Sequence, residues 1–327
     1  MNGLNIEFYF LMEKRKLGQN GPELSVIGLG AWAIGGAWRW GWGAADDKES
    51  IRTIHRAIEL GVNWIDTAAV YGLGHSETII GQALRDIREE VFIASKCGLV
   101  WNDSGKVWND ISPASIRNEV EKSLKRLQVE TIDLYQIHWP HDNQSEIRAW
   151  QEMVKLVKEG KVRWIGVSNF TLKHLEQCER VYHIDSLQPP YNLFEREAEE
   201  ELLPFCLSRK IGVIAYSPMA SGLLSGRFNI KNLAADDWRS SNPKFREPFL
   251  TKALVLVEKM RNVAELYGKT PGQLAVNWVL QHPAITSAIV GARRVAQVEE
   301  NVSAAGWSLD QGHYQVIEAF VDELMLS

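Results

Sequence analysis

Short β-branched and apolar runs alternate with amphipathic helical stretches along nearly the whole chain. That alternation confines it to folds built from βα units around a parallel sheet. Strand candidates end near Gly30, Thr67, Cys97, His138, Ser168, Gln188, Ser217 and Val290, which makes eight units. Between them Ile116, Val120, Leu124 and Leu127 fall on one helical stripe behind a Ser112 cap and Pro113. Ile147, Trp150, Val154 and Val157 repeat the stripe between Ser145 and Gly160. Two junctions echo each other, Glu59-Leu60-Gly61-Val62-Asn63-Trp64-Ile65 and Glu159-Gly160-Lys161-Val162-Arg163-Trp164-Ile165, each a glycine-ended helix feeding a strand.

Eight such units predict an α/β fold, a single (β/α)8 TIM barrel with extended βα loops and a C-terminal helix. A bare barrel needs about 250 residues, and this chain has 327. The surplus falls after strand 1 (31–47), after strand 3 (98–111), after strand 7 (218–248) and in a helix from about 313 to 325. Three of these are loops at the strands' carboxyl ends, where barrel enzymes carry their sites. One domain over 12–327 is expected, with 1–11 as a loose extension.

Lys and Arg number 36 against 41 Asp and Glu, a net charge of −5, so no positive field draws in nucleic acid. Cys97, Cys178 and Cys206 are too far apart for a CxxC motif and odd in number, which suits a reducing, cytoplasmic setting without disulfides. The apolar start runs into Glu13-Lys14-Arg15-Lys16 and lacks the form of a signal peptide. A bilayer needs about 18 consecutive apolar residues and none are found, so no membrane role is expected. The sequons at Asn102, Asn143, Asn169 and Asn301 are then chance matches. Nothing in the residues sets an oligomeric state.

Gly28-Leu29-Gly30-Ala31-Trp32-Ala33 has the spacing of the Rossmann dinucleotide fingerprint. The adjoining segment, Ile34-Gly35-Gly36-Ala37-Trp38-Arg39-Trp40-Gly41-Trp42-Gly43, cannot open the helix that fingerprint requires, so the match is read as a decoy. His138-Trp139-Pro140-His141 is an H-x-x-H that raises a metal-dependent barrel hydrolase. Pro140 and the lack of H-E-x-x-H argue against a metal, and His141 reads as a loop residue. No G-x-S-x-G elbow exists for a serine hydrolase. More telling are Asp66, Lys96 and His138, each ending a successive apolar strand where a barrel would aim them into one cleft. A lysine there is expensive unless an anion meets it, and Asp66 is the natural partner.

With Tyr71 placed as D-x4-Y after Asp66, the chain resembles the aldo-keto reductases over residues 12–308. The resemblance identifies Asp66, Tyr71, Lys96 and His138 with that family's catalytic tetrad. It implies that Ser168, Asn169, Gln188 and Tyr216-Ser217-Pro218 hold and stack a nicotinamide. It further implies that the stretch from Ile289 through Gly291, Arg293 and Gln297 to Asn301 grips the adenosine end. The run from Tyr216 through Gly222 to Gly226, with Gly291-Ala292-Arg293, is most similar to bacterial general-stress and inositol-operon type reductases. Such a protein reduces small, aromatic or sugar-derived aldehydes and ketones to alcohols. The alternatives are a sugar dehydrogenase working oxidatively and a non-catalytic cofactor-sensing subunit.

In this chemistry Tyr71 is the proton donor, and a cation beside it would lower a phenol pKa ordinarily near 10. Lys96 is that cation, and His138 is a neutral donor that orients the carbonyl. NADPH is the expected cofactor, with Arg293 forking onto its 2′-phosphate beside a helix N-terminus; Gly291 and Gln297 stand where relatives carry basic residues, which leaves NADH possible. Of 13 Trp, eight fall at strand ends or beyond on one rim: Trp32, Trp38, Trp40, Trp42, Trp101, Trp108, Trp139 and Trp238. Trp32, Trp101 and Trp139 are the expected substrate wall, since aromatic faces suit apolar carbonyls or sugars.

Overall fold

The computed structural model describes residues 12–142, 144–233 and 237–326; the expected 1–11 extension and the Asn143 sequon lie outside them. Eight parallel strands close into a barrel: β1 (Ile27–Gly30), β2 (Trp64–Asp66), β3 (Phe92–Cys97), β4 (Ile132–Ile137), β5 (Val162–Ser168), β6 (Ser186–Gln188), β7 (Gly212–Ala215) and β8 (Ile285–Gly291). Closure comes from β8 pairing with β1, Ala288 opposite Ile27 through Gly291 opposite Gly30. This is the TIM-barrel fold, and the strand ends fall within two residues of those expected.

Around it lie α1 (Asp47–Glu59), α2 (His75–Ala83), α3 (Pro113–Leu127), α4 (Glu146–Lys158), α5 (Leu172–Glu179), α6 (Leu202–Arg209), α7 (Phe249–Leu266), α8 (Pro271–Gln281), α9 (Val295–Val302) and α10 (Gln311–Leu326). The expected caps act: Ser112 accepts from Ser115 N–H and Ser145 from Arg148 N–H, satisfying first-turn donors. The expected C-terminal helix is α10.

Two hairpins were not expected. Lys14–Lys16 pairs antiparallel with Glu23–Ser25. Leu17 and Leu24 pack with Trp64, Phe92, Leu134, Ile214 and Ile289, so this hairpin stops the barrel's amino end. Leu99–Trp101 pairs with Val107–Asn109 in the loop after β3.

The glycines of the apparent fingerprint serve the barrel interior. A Cβ on Gly28 would lie 2.1 Å from the Trp64 ring, and one on Gly30 would lie 2.9 Å from Ile289. Beyond them comes only a short 3-10 turn, Trp32–Gly35, so the Rossmann reading fails on structure as well.

Candidate active site

Asp66 is the last residue of β2, Lys96 the penultimate residue of β3, His138 directly follows β4, and Tyr71 lies between β2 and α2. The turn carrying Tyr71 closes only on glycine. Gly72 takes φ 60°, and a Cβ there would lie 2.0 Å from the Gly35 carbonyl oxygen. At the barrel's carboxyl end Lys96 Nζ donates to both Asp66 oxygens at 2.8 and 2.7 Å, to the Thr67 carbonyl at 2.9 Å and to the Tyr71 hydroxyl at 3.2 Å. Gln188 Nε2 donates to Asp66 Oδ1 at 2.8 Å. The Tyr71 and His138 rings meet edge-on, 5.8 Å between centroids.

Burial lowers the Lys96 ammonium from its ordinary value, while Asp66 and Glu77 oppose the shift by favouring its charge. Burial, then the Lys96 charge, pushes His138 well below the usual imidazole range, so its ring is neutral at neutral pH. Burial, then the Asp66 carboxylate, pushes Tyr71 well above 10. This reverses the expected direction. Asp66 holds Lys96 through both oxygens, and desolvation of the buried phenolate, with the Asp66 charge added, dominates at Tyr71.

Above this floor opens a cleft of about 1030 Å³, bordered by Asp66, Tyr71 and His138. It runs past Ser168, Asn169, Gln188 and Tyr216, with Ser217, Pro218 and Gly222 of the β7 loop, to Gly291, Arg293, Gln297 and Asn301 at the β8 tip. Many of these groups also brace one another. Asn169 donates to the His138 carbonyl at 3.0 Å and accepts from the Tyr216 hydroxyl at 2.8 Å. Ser168 Oγ donates to the Gln188 carbonyl at 2.8 Å. Asn301 donates to the Gly291 carbonyl at 3.1 Å, and Gln297 accepts from Arg293 N–H at 2.8 Å. Asn169, Ser217, Ala220 and Ser221 take positive φ, local strain concentrated along one edge of the cleft.

Trp32 and Trp139 line the cleft, together with Trp38, Trp40, Trp42 and Trp238. Trp101 does not. Its ring is turned to the Arg126 guanidinium at 5.7 Å, while Leu99 and Asn109 of the same hairpin reach the cleft instead. The α9 N-terminus is also less open than expected, because Glu49 accepts from Val295 N–H at 3.3 Å. Glu49, Asp237 and Arg239 were not anticipated. They sit on a helix face and in an irregular loop, where no spacing marks them.

The chain matches the aldo/keto reductase family over residues 26–322. It is 40% identical over 316 residues to the aldo-keto reductase YhdN of Bacillus subtilis, covering 95% of this chain and 94% of that one. The chain belongs to the aldo/keto reductase family. This reductase is also 34% identical to the NADH-specific methylglyoxal reductase of Escherichia coli, covering 96% of this chain and 99% of that one. Its fold superposes on the glycerol dehydrogenase AKR11B4 of Gluconobacter oxydans with a TM-score of 0.88 at 40% identity over 96% of each chain. It is therefore an oxidoreductase of the family whose members carry out NAD(P)H-dependent carbonyl reduction. Among the described residues no group of three or more His, Cys, Asp or Glu is placed to hold a metal ion. Among them, too, no helix is long and apolar enough to cross a membrane.

Proposed function

We propose that this reductase converts small aldehydes and ketones to alcohols with NADPH, accepting NADH as well, and that Tyr71 delivers the proton. The observation that carries this reading is the Asp66, Lys96, Tyr71 and His138 cluster at the floor of the long cleft. The cleft fits a dinucleotide. Its lining reaches from Asp66 and Tyr71 to Arg293, whose guanidinium, among the described residues, donates only to backbone carbonyls and is crowded by Arg294 and Arg239, a cation in want of an anion. When bound, the nicotinamide supplies the hydride. Ser168, Asn169 and Gln188 would hold its amide, Tyr216 its ring face, and Arg293 a 2′-phosphate.

The protein's own part is protonic and electrostatic. Tyr71 keeps its proton throughout the neutral range and so has it available for a carbonyl oxygen. Lys96, 3.2 Å away, stabilises the phenolate as the proton leaves. Gln188 and Lys96 fix Asp66 from two sides and keep the ammonium aimed at the phenol. His138, neutral by burial, offers a hydrogen bond to the same carbonyl oxygen.

Coenzyme preference is balanced by two residues. Arg293 favours the 2′-phosphate, whereas Glu49 at the α9 N-terminus disfavours it and suits a ribose hydroxyl. Tyr71→Phe tests the mechanism: kcat for aldehyde reduction should fall by about 10²-fold or more, with dinucleotide affinity retained. Reduction at the wild-type rate in that variant would reject Tyr71 as the acid.

A further inference from the structure

Arg293 is held in a way that leaves its charge unanswered. Its Nη1 and Nη2 donate to the carbonyls of Trp42 and Ala44 at 2.8 and 2.6 Å, pinning the β1 loop to the β8 tip. It forms no salt bridge among the described residues. Burial, Arg294 and Arg239 together draw its pKa below the ordinary guanidinium value. Asp237, which offsets them, is itself gripped by Arg239 at 2.7 and 3.0 Å.

Trp42 in turn stands at the corner of the aromatic wall. Arg239 lies over its ring at 4.7 Å, and Trp32 is 6.2 Å away. Trp32 stacks on Trp238 at 5.9 Å and on Tyr71 at 6.4 Å. Arg293 is thus connected to the phenol of the floor through only Trp42 and Trp32.

The loop has room to move. Gly43 takes φ 80° with nothing within 4 Å of a Cβ built there, and Ala44 is exposed, so water can donate to the carbonyls that Arg293 releases. Among the described residues, Trp32, Trp38 and Trp42 of this loop and Trp238 of the β7 loop each bury an indole N–H without a partner, an arrangement with donors to satisfy on rearranging.

We infer that Arg293 is a specificity residue acting across both halves of the cleft, so that the range of carbonyl substrates depends on which dinucleotide is bound. A ribose 2′-phosphate takes the guanidinium in a bidentate, charge-assisted pair that two neutral carbonyls cannot match. Trp42 and Ala44 are then released and the tryptophan wall re-forms. A dinucleotide without that phosphate leaves Arg293 on the loop and the wall as it stands. Because the coupling is a free energy between two sites, it acts in both directions. The inference rests on the coenzyme reading above, in which Arg293 meets the phosphate.

The test uses adenosine 2′,5′-bisphosphate against adenosine 5′-monophosphate, neither of which carries a nicotinamide. Amide exchange across residues 36–46 should rise about fivefold or more with the bisphosphate and stay unchanged with the monophosphate. In Arg293→Ala the same segment should exchange at the raised rate without ligand and no longer respond. A bisphosphate that binds wild type and Arg293→Ala equally well overturns the coenzyme reading itself. One whose binding needs Arg293 but leaves exchange at 36–46 unchanged overturns only the coupling. In turnover, the kcat/KM ratio for an aromatic aldehyde over a small α-dicarbonyl should differ between NADPH and NADH by about fivefold or more. In Trp42→Ala, which keeps Arg293, that difference should vanish; its persistence would also overturn the coupling.

Discussion

Lys96 has three protons and four oxygens within reach, and Asp66 takes two of those contacts. Asp66, Lys96 and His138 were legible as neighbours because polar groups at the ends of apolar strands stand out, whereas Tyr71, in a loop, was singled out by the resemblance. The net direction in which Tyr71 moves was not legible, since it depends on how deeply the folded chain buries the phenol beside its charged neighbours. Nor was Glu119 legible. It falls on the helical stripe of α3 among surface-type residues, yet it is 4% exposed and accepts the Gly98 N–H through both oxygens at 3.1 Å. Burial raises it from 4.5 to about 8, with Asp110 and Glu77 adding to the shift and Gly98 and Ser115 opposing it. The folded chain therefore holds this proton more tightly than the unfolded chain. Its stabilising contribution is full below about 4.5 and disappears as pH rises through about 8. Glu119→Gln should remove this dependence. Denaturation from pH 5 to 9 should show the wild type losing ground to the variant by up to about 1.4 kcal/mol per pH unit. A gap that stays constant with pH would dismiss a titrating Glu119.

At the scale of elements, the barrel strands and capped helices were readable because each carries a period and an end signal. The two hairpins were not. Lys14–Lys16 has no alternation at all, and Leu99–Trp101 is too short to display one. The loop after β3 consequently misled as well, since it turns Trp101 away onto Arg126. In β1 the glycine spacing is set by the ring of Trp64, whose Nε1 donates to the Ser25 carbonyl and to Ser287 Oγ, both at 3.1 Å. That ring is fixed and cannot yield to a new methyl group. Gly28→Ala should cost about 1–3 kcal/mol by overpacking, read by denaturant titration, while the folded protein binds NADPH within about twofold of wild type. Loss of NADPH affinity at undiminished stability would return the motif to a phosphate-binding role.

For the whole molecule, the carboxyl end carries the cleft and the amino end is stopped by the first hairpin. Leu17 is fully buried there, and a Cβ on Gly212 would lie 2.5 Å from it. Leu17→Ala should cost about 2–5 kcal/mol of stability, measured by thermal or denaturant unfolding, with KM for carbonyl and dinucleotide unchanged. A change in KM comparable with the change in stability would mean that the two ends are coupled. The same hairpin bears on how the protein is made. Arg15 donates to the carbonyls of Leu280 and Ile285 at 2.8 and 2.9 Å, and β1 finds a neighbour in β8. Arg15 thus waits for partners made 265 and 270 residues later. Until synthesis reaches β8, the nascent chain carries β1 as an open sheet edge, so the barrel cannot close before residues 285–291 are made.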